Sequence, residues 1–366
     1  MKEAGLTVKI DKIGNIFGRK EGSKTNTGTV MSGSHLDSAL NGGMFDGALG
    51  VFSAIEAIRR MNDEGFENER PLEVVVFTAE EGSAFSPTIL ASSVLVGEMS
   101  IDEAWNRKNA TGQTLGEVLE NIGYKDSFER SLDDVEYFIE THVEQGPILD
   151  KEGISVGVVE NIAGMMWLML TILGAENHAG STPMTMRHDA LVAAADIVSF
   201  VNKRANDLVA KSGAATVGTV GRLNVFPNGG NIIPGRVEMV IDIRDVIWEN
   251  MESLKNEALK TARDIENKYG VSIRSELTAL HPPVALSDEV ITMIDNSARQ
   301  VGIVPRRINS GAGHDCMNMA KKTKAGMIFV PSVKGISHAP LEWTNWEDIE
   351  KGAKVLTQTL KNLSKL

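Results

Sequence analysis

The chain has 366 residues and a net charge of −12, with 49 Asp and Glu against 37 Lys and Arg. A chain of this length exceeds most single cores, so we expect one large α/β domain and a smaller second domain. The acidic balance and the lack of a basic stripe argue against nucleic acid as a partner.

The lone cysteine, Cys316, argues against a disulfide framework and fits a reducing cytoplasm. The N-terminal sequence has no apolar core of signal-peptide type. The longest apolar run, "GMMWLMLTILGA", is too short to span a bilayer. The composition therefore predicts a soluble cytoplasmic protein without a membrane partner.

In chain order, short β-branched runs alternate with helical patterns, which is typical of a mostly parallel, doubly wound α/β sheet. The predicted strands are 28–34, 72–78, 135–141 and 325–331, and the predicted helices are 46–65 and 344–363. Thr344 and Glu347 have the spacing of a capping box at the start of the last helix.

A segment of different character lies between these elements. The sequence pattern of this segment predicts strand 167–173, helix 189–211, strands 216–225 and 236–244, helix 249–268 and strand 271–279. This β-α-β-β-α-β order is ferredoxin-like. We therefore expect a discontinuous domain, 1–163 with 281–366, and an inserted α+β domain, 164–280.

Charged residues follow the predicted strands of the larger domain. In an open α/β sheet the functional site forms outside the carboxyl ends of the strands. The residues found there are His35, Asp37, Glu80, Glu81, His142 and His338, and Asp46 opens the first long helix.

Taken singly, each of these residues has an ordinary explanation, such as a polar loop residue or, for Asp46, a helix N-cap. Taken together, three of the seven histidines and several carboxylates meet at one sheet edge. Imidazole and carboxylate ligands suit Zn, Mn, Co or Ni, and a carboxylate can bridge two ions. Of two adjacent glutamates, one could hold a metal while its neighbour acts as a base on an activated water.

The motifs "GSHLDSALNGGMFDGALGV", "EEGSAF", "HVEQGPIL", "NHAGSTPM", "NIIPG" and "SGAGHDCMNMA" resemble those of one family over nearly the whole chain. It is the di-metal amidohydrolase and peptidase family that includes N-carbamoyl-L-amino-acid hydrolases, allantoate amidohydrolases and aminoacylases. The first two groups are the most similar. Family members usually carry a few dozen residues before the position of Met1, so we expect a truncated or misassigned start.

The resemblance implies a role for each charged residue. One divalent metal ion would be held by His35, Asp46 and His142, and a second by Asp46, Glu81 and His338, with Asp46 bridging. Glu80 would be the general base, and the Asp37 carboxylate would orient His35.

The resemblance also implies that the inserted domain is a lid and dimerisation domain of a homodimer. Lid closure would hinge near 160–166 and 279–285. His178 would stabilise an oxyanion across the dimer interface, while Asn231 and Arg244 would hold the carboxylate and amide end of the substrate. Gln145 and His314 are further candidates for the pocket wall, and His188 and His281 are expected to be structural.

The implied activity is hydrolysis of a carbamoyl or ureido amide on a small substrate that bears a carboxylate, with release of ammonia and carbon dioxide. An aminoacylase or dipeptidase with the same two metal ions is the nearest alternative. A metal-dependent binding protein without catalysis is a more distant one. The motifs leave the metal, the substrate side chain and its stereochemistry open.

Overall fold

A computed structural model describes residues 1–212 and 216–366. The chain forms two compact units, one of Met1–Ile162 with Ala285–Leu366 and one of Ala163–Val284. It crosses from one unit to the other after Ile162 and again after Val284. Within the described residues, every helix is too short or too polar to span a membrane.

The strands and helices are numbered in chain order. The strands are β1 Thr7–Ile10, β2 Ile16–Lys20, β3 Thr29–His35, β4 Leu72–Phe77, β5 Val135–Val143, β6 Gly157–Ile162, β7 Gly164–Leu173, β8 Asn177–His178, β9 Val217–Phe226, β10 Ile232–Ile233, β11 Arg236–Asp245, β12 Ser272–His281, β13 Val284–Ala285, β14 Arg306–Ser310 and β15 Lys324–Val330. The α-helices are α1 Ala48–Asp63, α2 Leu90–Leu95, α3 Ile101–Trp105, α4 Leu115–Asn121, α5 Ile148–Glu152, α6 Ala190–Ser212, α7 Trp248–Tyr269, α8 Asp288–Gln300, α9 Asp315–Met319 and α10 Trp346–Leu363.

The larger unit is built on a sheet with the order β1-β2-β4-β3-β5-β15-β6, and β14 pairs with β6. The central pairs β4-β3, β3-β5 and β5-β15 are parallel, whereas β1-β2, β2-β4 and β15-β6 are antiparallel. Every residue of β3 and β4 is buried. Burial on both faces explains why β4 is a nearly continuous apolar run, while β3 combines apolar residues with small polar ones. The prediction of a mostly parallel α/β sheet is confirmed.

Helices cover both faces of this sheet, as consecutive residues of β5 show. The Glu140 carboxylate accepts the N–H of Cys316 in α9, whereas the Thr141 side chain faces Gly352 in α10. Because successive residues of a strand point to opposite faces, α9 and α10 lie on different sides of the sheet.

Predicted boundaries in the larger unit shift by one or two residues, and three of these shifts have a local reason. Strand β5 continues to Val143, because β15 pairs with it up to Val330, so His142 lies within the strand. Helix α1 begins at Ala48 rather than at residue 46, because Gly47 has a φ of 65°. Helix α10 begins at Trp346, with Asn345 at its N-cap position, because the predicted cap Thr344 is fully buried.

The smaller unit has the element order β7-α6-β9-β11-α7-β12, and its sheet order is β12-β7-β11-β9 with antiparallel pairs. Burial alternates along β7 and β11, which places one face of the sheet against α6 and α7. The buried side chains there include Leu168, Leu170, Ile197, Ile241 and Leu254. Strand β7 begins three residues before its predicted start at 167.

We predict that Gly50→Ala destabilises the protein, although alanine normally favours a helix over glycine. A Cβ at Gly50 would lie 2.3 Å from the carbonyl oxygen of Thr141, so α1 would have to move off the sheet. The expected loss is about 1–3 kcal/mol of unfolding free energy, seen as a lower Tm in calorimetry. Asn256→Ala, at an exposed site in α7, is the control and should leave Tm unchanged or slightly raised. An equal or higher Tm for Gly50→Ala would contradict this packing.

Candidate metal centre

The Asp46 carboxylate occupies the centre of the cluster at the carboxyl edge of the larger sheet. Its Oδ1 lies 3.2 Å from His142 Nε2, and its Oδ2 lies 3.3 Å from His338 Nε2. Burial alone would raise the pKa of Asp46, but hydrogen bonds to His142 and His338 outweigh it and hold the pKa below its ordinary value. Asp46 therefore lies between two imidazoles that favour its ionised form.

Two sets of three potential ligand atoms share Asp46. His35, Asp46 and His142 form one set, and Asp46, Glu81 and His338 form the other. Within each set the nitrogen and oxygen atoms lie within 4.8 Å of one another. The fold thus brings together the five residues that the family resemblance implies as ligands of two metal ions bridged by Asp46.

Main-chain carbonyls orient two of the histidines. His35 Nδ1 lies 2.8 Å from the carbonyl oxygen of Asp37, and His142 Nδ1 lies 2.9 Å from that of Val143. A carbonyl can only accept, so Nδ1 donates to it, and Nε2 is the ring nitrogen that faces the cluster. Gly47 makes room for this arrangement, since a Cβ there would lie 2.3 Å from the His35 ring.

The carboxylate and the main chain of Asp37 make different contacts at the cluster. Its carboxylate accepts the N–H groups of Glu80 at 3.1 Å and of Glu81 at 3.0 Å, and its Oδ1 is 3.9 Å from His35 Nδ1. The carboxylate therefore holds the loop that carries both glutamates, while the Asp37 main chain orients His35.

The two glutamates present their carboxylates to different parts of the cluster. Glu81 Oε1 lies 3.5 Å from His338 Nε2 and is buried without a hydrogen-bond partner among the described residues. Burial, followed by the charge of Asp46, raises the pKa of Glu81 to about 7. A buried oxygen with no donor beside two further ligand atoms fits a divalent cation.

Glu80 lies against His35, with Oε2 3.8 Å from His35 Nε2. The residue is 7% exposed, and burial raises its pKa well above the ordinary value, with further contributions from Asp315 and Glu81. His35, Glu80 and Glu81 also offer ligand atoms within 4.8 Å of one another, so the Glu80 carboxylate borders both sets that share Asp46.

Gln145 and His314 occupy different environments. Gln145 Nε2 lies 3.2 Å from Asp46 Oδ2 and 3.1 Å from His338 Nε2, so its amide borders the cluster. The His314 ring is only 2% exposed, with its centroid 4.5 Å from that of His142 and its Nε2 2.9 Å from Ser310 Oγ. His314 therefore packs behind His142, and its place in the pocket wall stays a prediction.

The sequence analysis missed three buried carboxylates near the cluster. Glu140 accepts hydrogen bonds from Ser34 Oγ at 2.7 Å and from the N–H of Cys316 at 2.9 Å. Burial raises the pKa of both Glu140 and Asp315, and the charge of Glu140 raises that of Asp315 further. The available signal was an acidic residue inside an apolar strand, two positions before His142.

Glu342 is the third of these carboxylates. It is 4% exposed and accepts the N–H of His338 at 2.9 Å. His338 has a φ of 52°, a conformation that a residue with a side chain rarely adopts, so this hydrogen bond helps to hold the backbone in place. The only signal for this contact in the sequence was the position of Glu342, four residues after His338.

The remaining predicted residues belong to the smaller unit. His178 in β8 pairs with Ile232 in β10, and the N–H of Ala179 donates to the carbonyl of Asn231 at 2.9 Å. His178 and Asn231 thus share one short ribbon. Arg244 lies in β11, where its guanidinium donates to Asp242 at 3.0 and 3.1 Å.

Of the two histidines expected to be structural, His188 has its Nδ1 3.2 Å from the carbonyl of Tyr269. His281 ends β12.

The sequence profile of Peptidase family M20/M25/M40 matches residues 37–362. The chain belongs to this family. The match covers Asp37, Asp46, both adjacent glutamates, His142 and His338. The family resemblance inferred from the motifs is therefore confirmed.

Named M20 relatives are similar over the full chain. An N-carbamoyl-L-amino acid amidohydrolase of Geobacillus stearothermophilus is 39% identical, with 100% of this chain and 88% of the relative covered. An allantoate amidohydrolase of Bacillus subtilis is 32% identical with the same coverage. A crystal structure of an amidase of the hydantoinase/carbamoylase family from Burkholderia multivorans superposes with a TM-score of 0.91 at 38% identity, covering 99% of this chain and 87% of that chain.

We predict that divalent metal ions stabilise the metal-stripped protein. Binding of Mn²⁺ or Zn²⁺ to the native state alone would add about 2.7 kcal/mol at a hundredfold excess over Kd, which is measurable as a rise in Tm. Asp46→Ala should lose most of this rise, because both ligand sets contain Asp46. Asp102→Ala, which removes an exposed carboxylate of α3, is the control and should keep it. An unchanged rise in Asp46→Ala would place the binding site elsewhere.

Proposed function

We propose that this M20 protein hydrolyses the carbamoyl or ureido amide of a small substrate that bears a carboxylate. One water is consumed, and the products are the free amine, ammonia and carbon dioxide. The observation that carries the proposal is the Asp46 carboxylate shared by two ligand sets, with Glu80 directly beside one of them. The relatives named as carbamoyl-amino-acid and allantoate amidohydrolases support the amide class.

Two divalent ions would be held by the chain, with Zn, Mn, Co and Ni all compatible with the donor set. His35, Asp46 and His142 would hold one ion, and Asp46, Glu81 and His338 would hold the other. When bound, such ions polarise an amide carbonyl and make water easier to deprotonate. The buried, unpartnered Glu81 Oε1 supports this assignment, because a cation would satisfy it.

Glu80 is the proposed general base and, later, the acid that protonates the leaving nitrogen. Burial and neighbouring carboxylates raise its pKa, so its conjugate acid releases a proton less readily than an exposed glutamic acid does. A carboxylate of raised pKa is a stronger base for water and a more effective carrier of the proton to the leaving group. The Asp37 carboxylate supports this role by holding the N–H of Glu80 at 3.1 Å.

The smaller unit is proposed to act as a lid and as the dimerisation domain of a homodimer. His178 would donate a hydrogen bond to the oxygen that becomes negative in the transition state. Asn231 and Arg244 would bind the carboxylate and amide end of the substrate. Arg244 supports this role because its pairing with Asp242 fixes the plane of the guanidinium.

We predict that Glu80→Gln lowers turnover by about 100-fold or more while the metal content stays near that of the wild type. The amide cannot accept a proton as the carboxylate does, but it fills the same space beside His35. Steady-state ammonia release and elemental analysis on the same preparation measure both quantities. His35→Ala should instead lower the metal content itself, because His35 is a proposed ligand.

The matched control is Glu120→Gln, an exposed glutamate of α4 that pairs with Lys125. It should leave both quantities unchanged. Full activity in Glu80→Gln would show that another group serves as the base.

We also predict which product is released. Metal-stripped protein resupplied with Mn²⁺ or Zn²⁺ should release ammonia from N-carbamoyl-L-amino acids or from allantoate. N-acetyl-amino acids, tested alongside, should give little acetate. Acetate without ammonia would favour an aminoacylase with the same metal site. No product from any amide, together with intact metal binding, would favour a binding protein without catalysis.

A further inference from the structure

The chain folds back on itself immediately after His178. The N–H and the hydroxyl of Thr182 both donate to the carbonyl oxygen of His178, at 3.2 and 2.7 Å. This closes a turn over residues 178–182. Inside the turn, the N–H groups of Gly180 and Ser181 both point at the Nδ1 atom of His178, at 3.0 and 3.1 Å.

This geometry selects one form of the His178 ring. A ring nitrogen that accepts from two N–H groups has no proton of its own, so a neutral ring must carry its proton on Nε2. Turning the ring over would place a C–H group against the same two donors. The turn therefore presents His178 as an Nε2–H donor, on a ring that is exposed on the surface of its unit.

Arg187 holds the turn from its outer side. Its Nη2 donates to the carbonyl of Ala179 at 2.7 Å and to that of Thr182 at 2.9 Å, and its Nε donates to the same Thr182 carbonyl at 3.1 Å. The Ala179 carbonyl and the Gly180 N–H belong to one planar peptide group and point in opposite directions. The hydrogen bond to Ala179 thus keeps the Gly180 N–H aimed at His178 Nδ1.

A guanidinium suits this task, because its planar fork reaches two carbonyls in fixed directions. A lysine ammonium could neutralise charge but could not hold both carbonyls with the same geometry.

We propose that Arg187 is a positioning residue that fixes His178 as a neutral Nε2–H donor toward the oxygen of the substrate's scissile carbonyl. The inference rests on the proposed function, since it takes His178 as the group that meets this oxygen. It adds that the hydrogen-bonding form of His178 is set by the turn and, through the Ala179 carbonyl, by Arg187.

The kinetic test compares variants in two backgrounds. Arg187→Ala should lower kcat by about 10- to 100-fold with KM and metal content near those of the wild type, because only the oxygen developing charge loses its donor. Arg187→Lys should recover little of the loss, while added guanidinium ion should restore part of kcat in Arg187→Ala. In a His178→Ala background, the further change Arg187→Ala should lower kcat by less than about twofold. An equal loss in both backgrounds would mean that Arg187 supports the fold alone and would overturn the proposal.

A second test needs no turnover. Two-bond ¹H–¹⁵N spectra of ¹⁵N-histidine-labelled protein distinguish the two ring tautomers, and the His178→Ala spectrum identifies the signals of His178. The wild type should show the Nε2–H form, and Arg187→Ala should show a mixture. Arg263→Ala, which removes an exposed arginine of α7, is the control and should leave the pattern unchanged.

An Nδ1–H pattern in the wild type, or an unaltered pattern in Arg187→Ala, would overturn the proposal. If the wild type hydrolysed no carbamoyl or ureido substrate, the proposed function would fail. The spectra would then decide separately whether Arg187 fixes the ring.

Discussion

The contact of the Asp46 carboxylate with His142 on one side and His338 on the other is the interaction on which the site depends. Asp46 follows a loop that leaves the end of β3, and Gly47 after it allows the chain to turn into α1 against the His35 ring. Because α1 packs directly on β3 and β5, the position of Asp46 is fixed by the core of the sheet. A carboxylate held in this way can serve two ligand sets without moving.

The same arrangement concentrates negative charge in a buried region. Glu80, Glu140 and Asp315 are all less than 10% exposed, and burial raises the pKa of each. Carboxylates cluster at such an edge only when cations, protons or N–H donors compensate for the lost hydration. The N–H of Cys316 supplies part of this compensation to Glu140, the N–H groups of Glu80 and Glu81 do so for the neighbouring Asp37, and the proposed metal ions would add positive charge.

Main-chain groups set the orientation of functional side chains in both units. Carbonyl oxygens hold His35 and His142 with Nε2 facing the ligand cluster, whereas two N–H groups hold His178 with Nε2 as a donor. The same side chain is thus prepared for opposite tasks by the polarity of the backbone beside it. In the proposed reaction, the first two histidines bind metal and the third binds the substrate oxygen.

The sequence by itself determined the family, the mostly parallel sheet and the residue types at the ends of its strands. These features depend on local patterns, namely apolar runs that form buried strands and short motifs that end them. Only the tertiary structure decided that the Asp37 carboxylate accepts the N–H groups of Glu80 and Glu81, which lie 43 and 44 positions further along the chain. It also decided that His314 packs behind His142. It also revealed that Glu140 meets Cys316 across 176 residues. Such contacts depend on which distant segments the fold brings together, and a local pattern carries no information about them.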